Sequence, residues 1–507
     1  MLPSIKHTWR VIRIGRTLAR YNALFPFELV PQARPFLRLA RPFVNKKAQG
    51  RPGQRLAAAL EEMGPSFIKF GQSLATRTDL LGEAITADLA TLQDRLPSFP
   101  VEEARATIEA DLEQKLNTLF DDFAEQPVAA ASIAQVHFAT TSDGREVAVK
   151  VLRPGIEQAI EEDLEFFIWL ARLVDRTQPH LRHYRPVEAV AMFATGTRRE
   201  LDLRLEAAAA VELAENSKDY EGFRVPAVDW RRTGRRVLTL ERVVGQHVSG
   251  RAKLIAAGHD PDLIMENASK AFFNQVFRDG FFHGDMHPGN FMIDAEGTIV
   301  ALDFGIMGRV EMADRRYMAE ILVGFLQRDY VSVADVFFKA GFLPPEADKM
   351  GFVQAVRSIG EPILGLPLEE ISFGRLVGQL LAVADTFEMR TQPQLLLLQK
   401  TMVVAEGVGR LLNSRVNMWQ LAQPLVEDWI AANLGPRARL EQAMADGFDT
   451  ARRLPGLVRR MEDALDRDRE RSTEKRRAAW PGGWLWPLLL GLVIGLALAR
   501  TNAHFWL

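Results

Sequence analysis

Three short motifs, in a fixed order, limit what this chain can fold into more than any other feature. VAVK closes on Lys150 at the end of a β-like run, HGDMHPGN carries Asp285 and Asn290, and a DFG begins at Asp303 directly after the apolar run IVAL. Phosphoryl transfer needs one carboxylate near the attacking oxygen, an acid and an amide to hold Mg²⁺ on the phosphates, and a lysine to position those phosphates. Asp285, Asn290, Asp303 and Lys150 supply these groups, and Asp285 and Asn290 have the D-x-x-x-x-N spacing of a phosphoryl-transfer loop. Each motif alone is common by chance, but the ordered set is a strong signal. A fold that uses it must bring a strand lysine against loops far along the chain.

The rest of the sequence gives these motifs a scaffold. An amphipathic helix is expected from Val101 to about Leu119, and IAQVHFAT, the Asp-Gly turn SDGR and EVAVKVL read as a β-hairpin. A long helix follows from Gly155 to Asp175, then another from Pro186 to Asn216. FRVPAVDWRRTGRRVLTLERVVG reads as two strands ending near Glu241, and helices dominate from Pro261 to about Gln420 apart from the block Phe281 to Gly308. Strands with an inserted helix followed mainly by helices make an α+β arrangement with two lobes. The glutamate that would hold Lys150 lies among Glu200, Glu206 and Glu212 in RRELDLRLEAAAAVELAEN, each of which could equally be a solvated acid on a helix face. His283 and His287 read equally as core histidines or as site residues, and with Asp285 they offer an alternative metal set that would leave Asn290 and Asp303 without a role. After the DFG the sequence becomes helix-like almost at once and contains no A-P-E, so a peptide-docking platform is missing.

The composition, 47% hydrophobic and 25% charged over 507 residues, is that of an ordinary globular protein, and the near-zero net charge of -2 gives no reason to expect a nucleic-acid partner. With no cysteine, disulfides, zinc-thiolate sites and thiol catalysis are excluded. Lys6, Arg10, Arg13, Arg16 and Arg20 recur at helical spacing beside Trp9, Ile12 and Leu18. That pattern suits an interfacial helix on an anionic membrane, a basic face packed on the protein, or an Arg-rich transit peptide. At the other end, the uncharged stretch Ala478 to Ala499 is about long enough to span a bilayer. Tryptophans flank it, and a basic run ending at Arg477 precedes it, which would place the large body in the cytoplasm. Its alternative is a buried core helix. Gly491 and Gly495 form a GxxxG through which two spans could pair.

Taken together, these residues resemble the UbiB family of atypical kinase-like proteins that support ubiquinone biosynthesis, over most of the chain from about Leu56. PSFIKFGQSLATRTDLL holds the family's K-x-G-Q at Lys69, Gly71 and Gln72, followed by LQDRLPSFP. Ala129, Ala130, Ala131 and Ser132 form its alanine-rich substitute for a glycine-rich loop, ELDLRLEA holds its E-x-D at Glu200 and Asp202, and HGDMHPGN and DFG complete the set. One position departs from the pattern: Ala209 stands where an asparagine is often found.

The resemblance implies an α+β, bilobal, protein-kinase-like fold with a helical N-terminal extension and a C-terminal transmembrane helix. The corresponding division is a basic segment at 1–55, the K-x-G-Q extension at 56–120, an N-lobe at 121–245, a helical C-lobe at 246–435, a charged tether at 436–479 and the span at 480–507. It favours Glu206 as the partner of Lys150. It implies that ATP or ADP is held by Ala129 to Ser132, Ile133, Lys150, Glu241 and Val243, that Mg²⁺ is held by Asn290 and Asp303, and that Lys69, Gly71, Gln72, Glu200 and Asp202 gate the pocket. Alanine restricts both the positive φ and the close phosphate approach that glycine permits. In the family this change is taken to alter nucleotide selectivity and to suppress protein-kinase activity. The expected partners are membrane lipids, prenylated quinone precursors, ubiquinone-biosynthesis enzymes and a second copy through the span. The expected location is the bacterial inner membrane. A small-molecule kinase of the aminoglycoside or choline type, which shares HGDxHxGN, and a nucleotide-binding pseudokinase scaffold are the alternatives.

Overall fold

A computed structural model describes residues 3–25, 43–45, 48–75, 81–92, 97–178, 185–248, 250–364, 393–413 and 418–434, with residue 182 and a few positions between 378 and 389. The chain divides into two units, Met1–Ala431 and Ala432–Leu507. Only 432–434 of the second unit are among the described residues.

The first unit opens with helices α1 (Pro3–Arg20), α2 (Pro52–Met63), α3 (Pro65–Leu74), α4 (Glu83–Leu89) and α5 (Val101–Leu112). Helix α1 packs onto the protein: Ile14 and Leu18 are buried, and Arg10 pairs with Asp163 and donates to the Glu162 carbonyl at 2.8 Å. Trp9 and Ile12 remain exposed on its other side. Helix α5 ends earlier than its amphipathic pattern suggests. Glu113 adopts a left-handed conformation (φ 53°), and the Glu109 carboxylate accepts from the Leu116 N–H at 2.9 Å, so a separate short helix begins at Leu116.

Strands β1 (Phe120–Phe123), β2 (Ala129–Ala130), β3 (Ala134–Thr141) and β4 (Glu146–Leu152) follow, with β3 and β4 forming the expected antiparallel hairpin. The two-residue period of a strand decides which way Lys150 points. Val147, Val149 and Val151 are buried on the face that packs against Ala104 and Ile108 of α5. Lys150 therefore projects from the opposite face.

The next helix is α6 (Ile156–Thr177), whose Phe167 receives α3: the Phe70 ring stacks on it at 4.7 Å and Phe67 meets it edge-on at 5.0 Å. The expected single helix from Pro186 is divided into α7 (Pro186–Glu200) and α8 (Leu203–Ser217). Asp202 makes the break. Its side chain accepts from the Arg204 N–H at 3.2 Å, an N-cap that starts a new helix.

The two strands expected up to Glu241 also separate. β5 (Phe223–Arg224) runs parallel to a later strand, Ile299–Ala301, in a different sheet, while β6 (Val237–Glu241) joins β4. The first sheet runs β1-β3-β4-β6 with β2 on β3. With β7 (Gly245–His247), β8 (Phe281–His283), β9 (Phe291–Asp294), β10 (Ile299–Ala301) and β11 (Met307–Arg309), the chain builds a second sheet, β5-β10-β9-β7, and the pair β11-β8. Helices α9 (Pro261–Phe273), α10 (Met312–Leu326), α11 (Tyr330–Lys339), α12 (Lys349–Leu364), α13 (Pro393–Leu412) and α14 (Met418–Leu434) make the helical half. Helix α10 begins seven residues after Gly305, so the short path after the DFG is as expected.

The transmembrane part of the expected fold is corrected. Among the described residues no helix is long and apolar enough to cross a membrane, because even the longest carry charges along their length, such as Lys400, Glu406 and Arg410 in α13. The stretch 478–499, read as the span, and the GxxxG at 491 and 495 lie outside the described residues. The fold carried forward is the kinase-like, two-lobed α+β arrangement with its helical extension.

Candidate active site

Lys150 projects from β4 into the space between the two halves. Its ammonium donates to Glu206 Oε1 of α8 at 2.7 Å and to Asp303 Oδ2 at 3.1 Å. Of the three candidate glutamates, Glu206 is the one that meets the lysine. Glu212 pairs with Arg309, and Glu200 pairs with Lys69 of α3. Burial lowers the affinity of Lys150 for its proton, but the Asp303 and Glu206 carboxylates outweigh that effect and its pKa is raised. For Asp303, burial acts upward, but the Lys150 ammonium and the Gly305 N–H hold the carboxyl at about 2.

The loop bearing Asp285 is anchored by hydrogen bonds on several sides. The Asp285 N–H donates to His283 Nδ1 at 3.1 Å, and His283 Nε2 donates to the Asp303 carbonyl at 2.6 Å. His283 thus ties the Asp285 loop to the DFG, with one nitrogen accepting and the other donating. Burial lowers its pKa, which keeps the accepting nitrogen unprotonated near neutral pH. Asn290 Nδ2 donates to Asp285 Oδ2 at 2.8 Å and to its carbonyl at 3.1 Å. That orientation leaves the Asn290 carbonyl oxygen as its remaining acceptor. That side-chain oxygen and the half-exposed Asp303 carboxylate are each hard oxygen donors of the kind Mg²⁺ takes. The alternative metal set does not form. Both nitrogens of His283 are engaged, His287 Nδ1 accepts from the Gly289 N–H at 3.1 Å, and among the described residues no three His, Asp or Glu side chains gather as such a set requires.

The alanine loop is a closed turn. Ala129 and Ala130 pair with Val136 and Gln135 as β2, and the Ala131 N–H donates to the Ala134 carbonyl at 2.8 Å, inside the loop. Ser132 and Ile133 are buried. Arg153 clamps the turn from behind, with Nη2 and Nε donating to the Ala131 carbonyl at 2.8 and 3.1 Å, while its guanidinium lies over the Phe99 ring. Gln135 completes the support: its side-chain amide exchanges hydrogen bonds with the backbone of Phe99 at 3.1 and 3.2 Å.

The expected nucleotide contacts at the end of β6 are in different settings. Val243 is buried, and the Glu241 carboxylate accepts from Arg224 Nη1 at 3.0 Å and the Ala227 N–H at 3.2 Å. The gating residues make these contacts. Lys69 meets Glu200, but Asp202 caps α8 and pairs with Arg204, and Gln72 donates to the Leu92 carbonyl at 3.4 Å. Gly71 permits the packing: a Cβ there would stand 2.5 Å from Leu92 and 2.6 Å from Leu60. Ala209 lies partly buried against the core, where its methyl packs among apolar neighbours.

Sequence reading missed Arg153, Gln135, Gln275 and Thr401. Gln275 accepts from the His283 N–H at 3.0 Å, and Thr401 of α13 donates to the Gly284 carbonyl at 3.0 Å, so both hold the residues just before Asp285. Arg153, directly after VAVKVL and before Pro-Gly, and Gln135, three residues after the alanine loop, stood near motifs that could have flagged them.

Comparison with known proteins bears on the same residues. Residues 91–337 match the ABC1 atypical kinase-like domain, and 356–417 match the UbiB helical domain. A relative from Marinobacter nauticus named "Probable protein kinase UbiB" is 40% identical over 466 residues, covering 90% of this chain and 85% of its own. One of the same name from Aeromonas hydrophila is 43% identical over 453 residues, 87% of this chain and 83% of its own. Among solved structures, the Mycobacterium tuberculosis protein Rv3197 in complex with erythromycin is 25% identical, covers 77% of this chain and 96% of its own, and has a TM-score of 0.48. The shared domains and the extent of this identity place the chain in the UbiB family of atypical kinases.

Proposed function

We propose that the protein uses Mg-ATP to support ubiquinone biosynthesis by acting on prenylated, membrane-borne intermediates. The observation that carries the reading is Lys150 held between Glu206 and Asp303, with Asp285 and Asn290 linked to the same centre through His283. Lys150 positions the phosphates, and Glu206 keeps its ammonium charged and in place. Asn290 and Asp303 provide the cation's oxygen ligands, and bound Mg²⁺ supplies neutralisation of the phosphate charge. Asp285, oriented by Asn290, accepts the proton of the attacking hydroxyl or water. The closed alanine turn favours a nucleotide contact made through side chains and a few N–H groups over a full backbone cradle. The early start of α10 and the Lys69–Glu200 pair favour a non-peptide acceptor.

The test is ATP turnover by the purified protein with Mg²⁺, with and without anionic liposomes carrying a prenylated quinone precursor, beside Asp303→Asn. Turnover raised by the loaded liposomes and lost in Asp303→Asn is the expected result. Nucleotide binding without turnover in either condition would overturn the reading in favour of a scaffold.

A further inference from the structure

Arg309 has no part in the chemistry above, yet its side chain joins three segments that carry that chemistry. It lies on β11, a short step after the DFG, and its register partner across the strand pair is Phe281 of β8. Gly308 lets the two strands close: a Cβ there would stand 2.1 Å from the Phe282 ring. The Arg309 guanidinium lies over the Phe281 ring at 4.7 Å, and its Nη2 donates to both carboxylate oxygens of Glu212 at 2.8 Å. Phe281 is buried and stands just before His283, which ties the Asp285 loop to the DFG. Glu212 belongs to α8, the helix that presents Glu206 to Lys150.

The two side chains are 57% and 39% exposed, and ion pairs so open to water contribute little to folding. What the pair can do is locate a helix. A helix held only at Glu206 is still free to roll about its axis and to slide along it. Glu212 comes after a further stretch of about 9 Å along that axis and about a third of a turn round it, so a second fastening there restrains both movements. The stack on Phe281 holds the guanidinium ready for that contact. We propose, on the reading of Lys150 and Glu206 as the pair that positions the phosphates, that Arg309 is a positioning residue for that pair. By gripping Glu212 it sets the roll and height of α8 and so places the Glu206 carboxylate on Lys150. The same grip joins α8 to β11, so a shift of the segment after the DFG reaches Lys150 through the helix as well as through Asp303.

The experiment uses the full-length protein and Arg309→Gln, alone and in a Glu206→Gln background. Two quantities are read: ATP turnover with Mg²⁺, and amide hydrogen exchange without nucleotide in peptides covering 203–217. Arg309→Gln is expected to lower kcat/KM for ATP severalfold and to speed exchange in α8 severalfold, with the urea midpoint nearly unchanged. Glu212→Gln is expected to do the same, and the two together no more than either alone. In the Glu206→Gln background Arg309→Gln is expected to cost almost no further activity, because the group it positions is already altered. Turnover unchanged by Arg309→Gln, a loss undiminished in the Glu206→Gln background, or a loss matched by a fall in the urea midpoint overturns the proposal. Absence of turnover in the unmodified protein counts against the proposed function alone. Exchange then decides for Arg309: faster exchange in α8 supports the positioning role, and exchange unaffected by Arg309→Gln overturns it.

Discussion

Replacing Glu206 with glutamine tests the centre of the site at a single atom. The substitution keeps the shape of the side chain and removes the charge that Lys150 meets at 2.7 Å. The glutamine oxygen still accepts from the ammonium, so a bond of about 1.5–3 kcal/mol is weakened rather than lost, at a cost of about 1–2 kcal/mol. It stays below the cost of stripping a buried charge of all its partners because Asp303 remains within 3.1 Å of the ammonium. Lys150 then leans on Asp303, the carboxylate proposed above to hold the cation. At 1.36 kcal/mol per decade, kcat/KM for ATP should fall about 5- to 30-fold. Steady-state ATP turnover with Mg²⁺ measures the change, and a cycle with Lys150→Met separates the pair from its surroundings. The two substitutions should be strongly non-additive. Activity within twofold of the parent, or full additivity, would refute the idea that the pair works as one unit.

Three further outcomes follow from the same contacts. Gly71→Ala places a methyl against Leu60 and Leu92 and should destabilise the protein by about 1–3 kcal/mol, read as a lower denaturation midpoint. Asp303 has a carboxyl pKa of about 2 when folded, so its stabilising contribution is present above the unfolded value of about 3.9 and is lost as the pH falls towards 2. Denaturant titrations between pH 5 and 2 should show that loss, and Asp303→Asn should show less of it. Arg153→Met frees the Ala131 carbonyl and loosens the alanine turn, so KM for ATP should rise severalfold with kcat nearly unchanged. An equal fall in kcat would instead place Arg153 in the chemical step.

What could be read from the sequence depended on whether a contact left a local pattern. Lys150, Asp285, Asn290 and Asp303 lie in fixed spacings dictated by the chemistry, and the β3–β4 hairpin is announced by its alternation and its Asp-Gly turn. The Glu206 assignment needed family resemblance, because three glutamates share one helical stretch and only packing decides which one faces the strand. The helix break at Asp202 was hidden by strong flanking helix formers, although an aspartate is a good N-cap. β5 was placed with its sequence neighbour because period alone cannot say which sheet a strand joins. Thr401 and Gln275 act on the catalytic loop from distant helices and leave no motif. The membrane span was read from an uncharged stretch, its flanking tryptophans and the basic run before it, and no described helix has that character.

The excursion of β5 has a mechanical consequence. Between α8 and β6 the chain visits the second sheet at Phe223–Arg224 and returns, then leaves again after Glu241 to form β7 in that same sheet. Arg224 fastens the two passages, gripping Glu241 on one side and Asp294 of β9 on the other. A body joined to another by one strap can swing in any direction, whereas two straps side by side leave it a single axis. Here the chain crosses three times side by side, out to β5, back to β6 and out again to β7, so admitting a nucleotide should tilt the halves about the line through Arg224 and Glu241, and twisting across that line should be resisted.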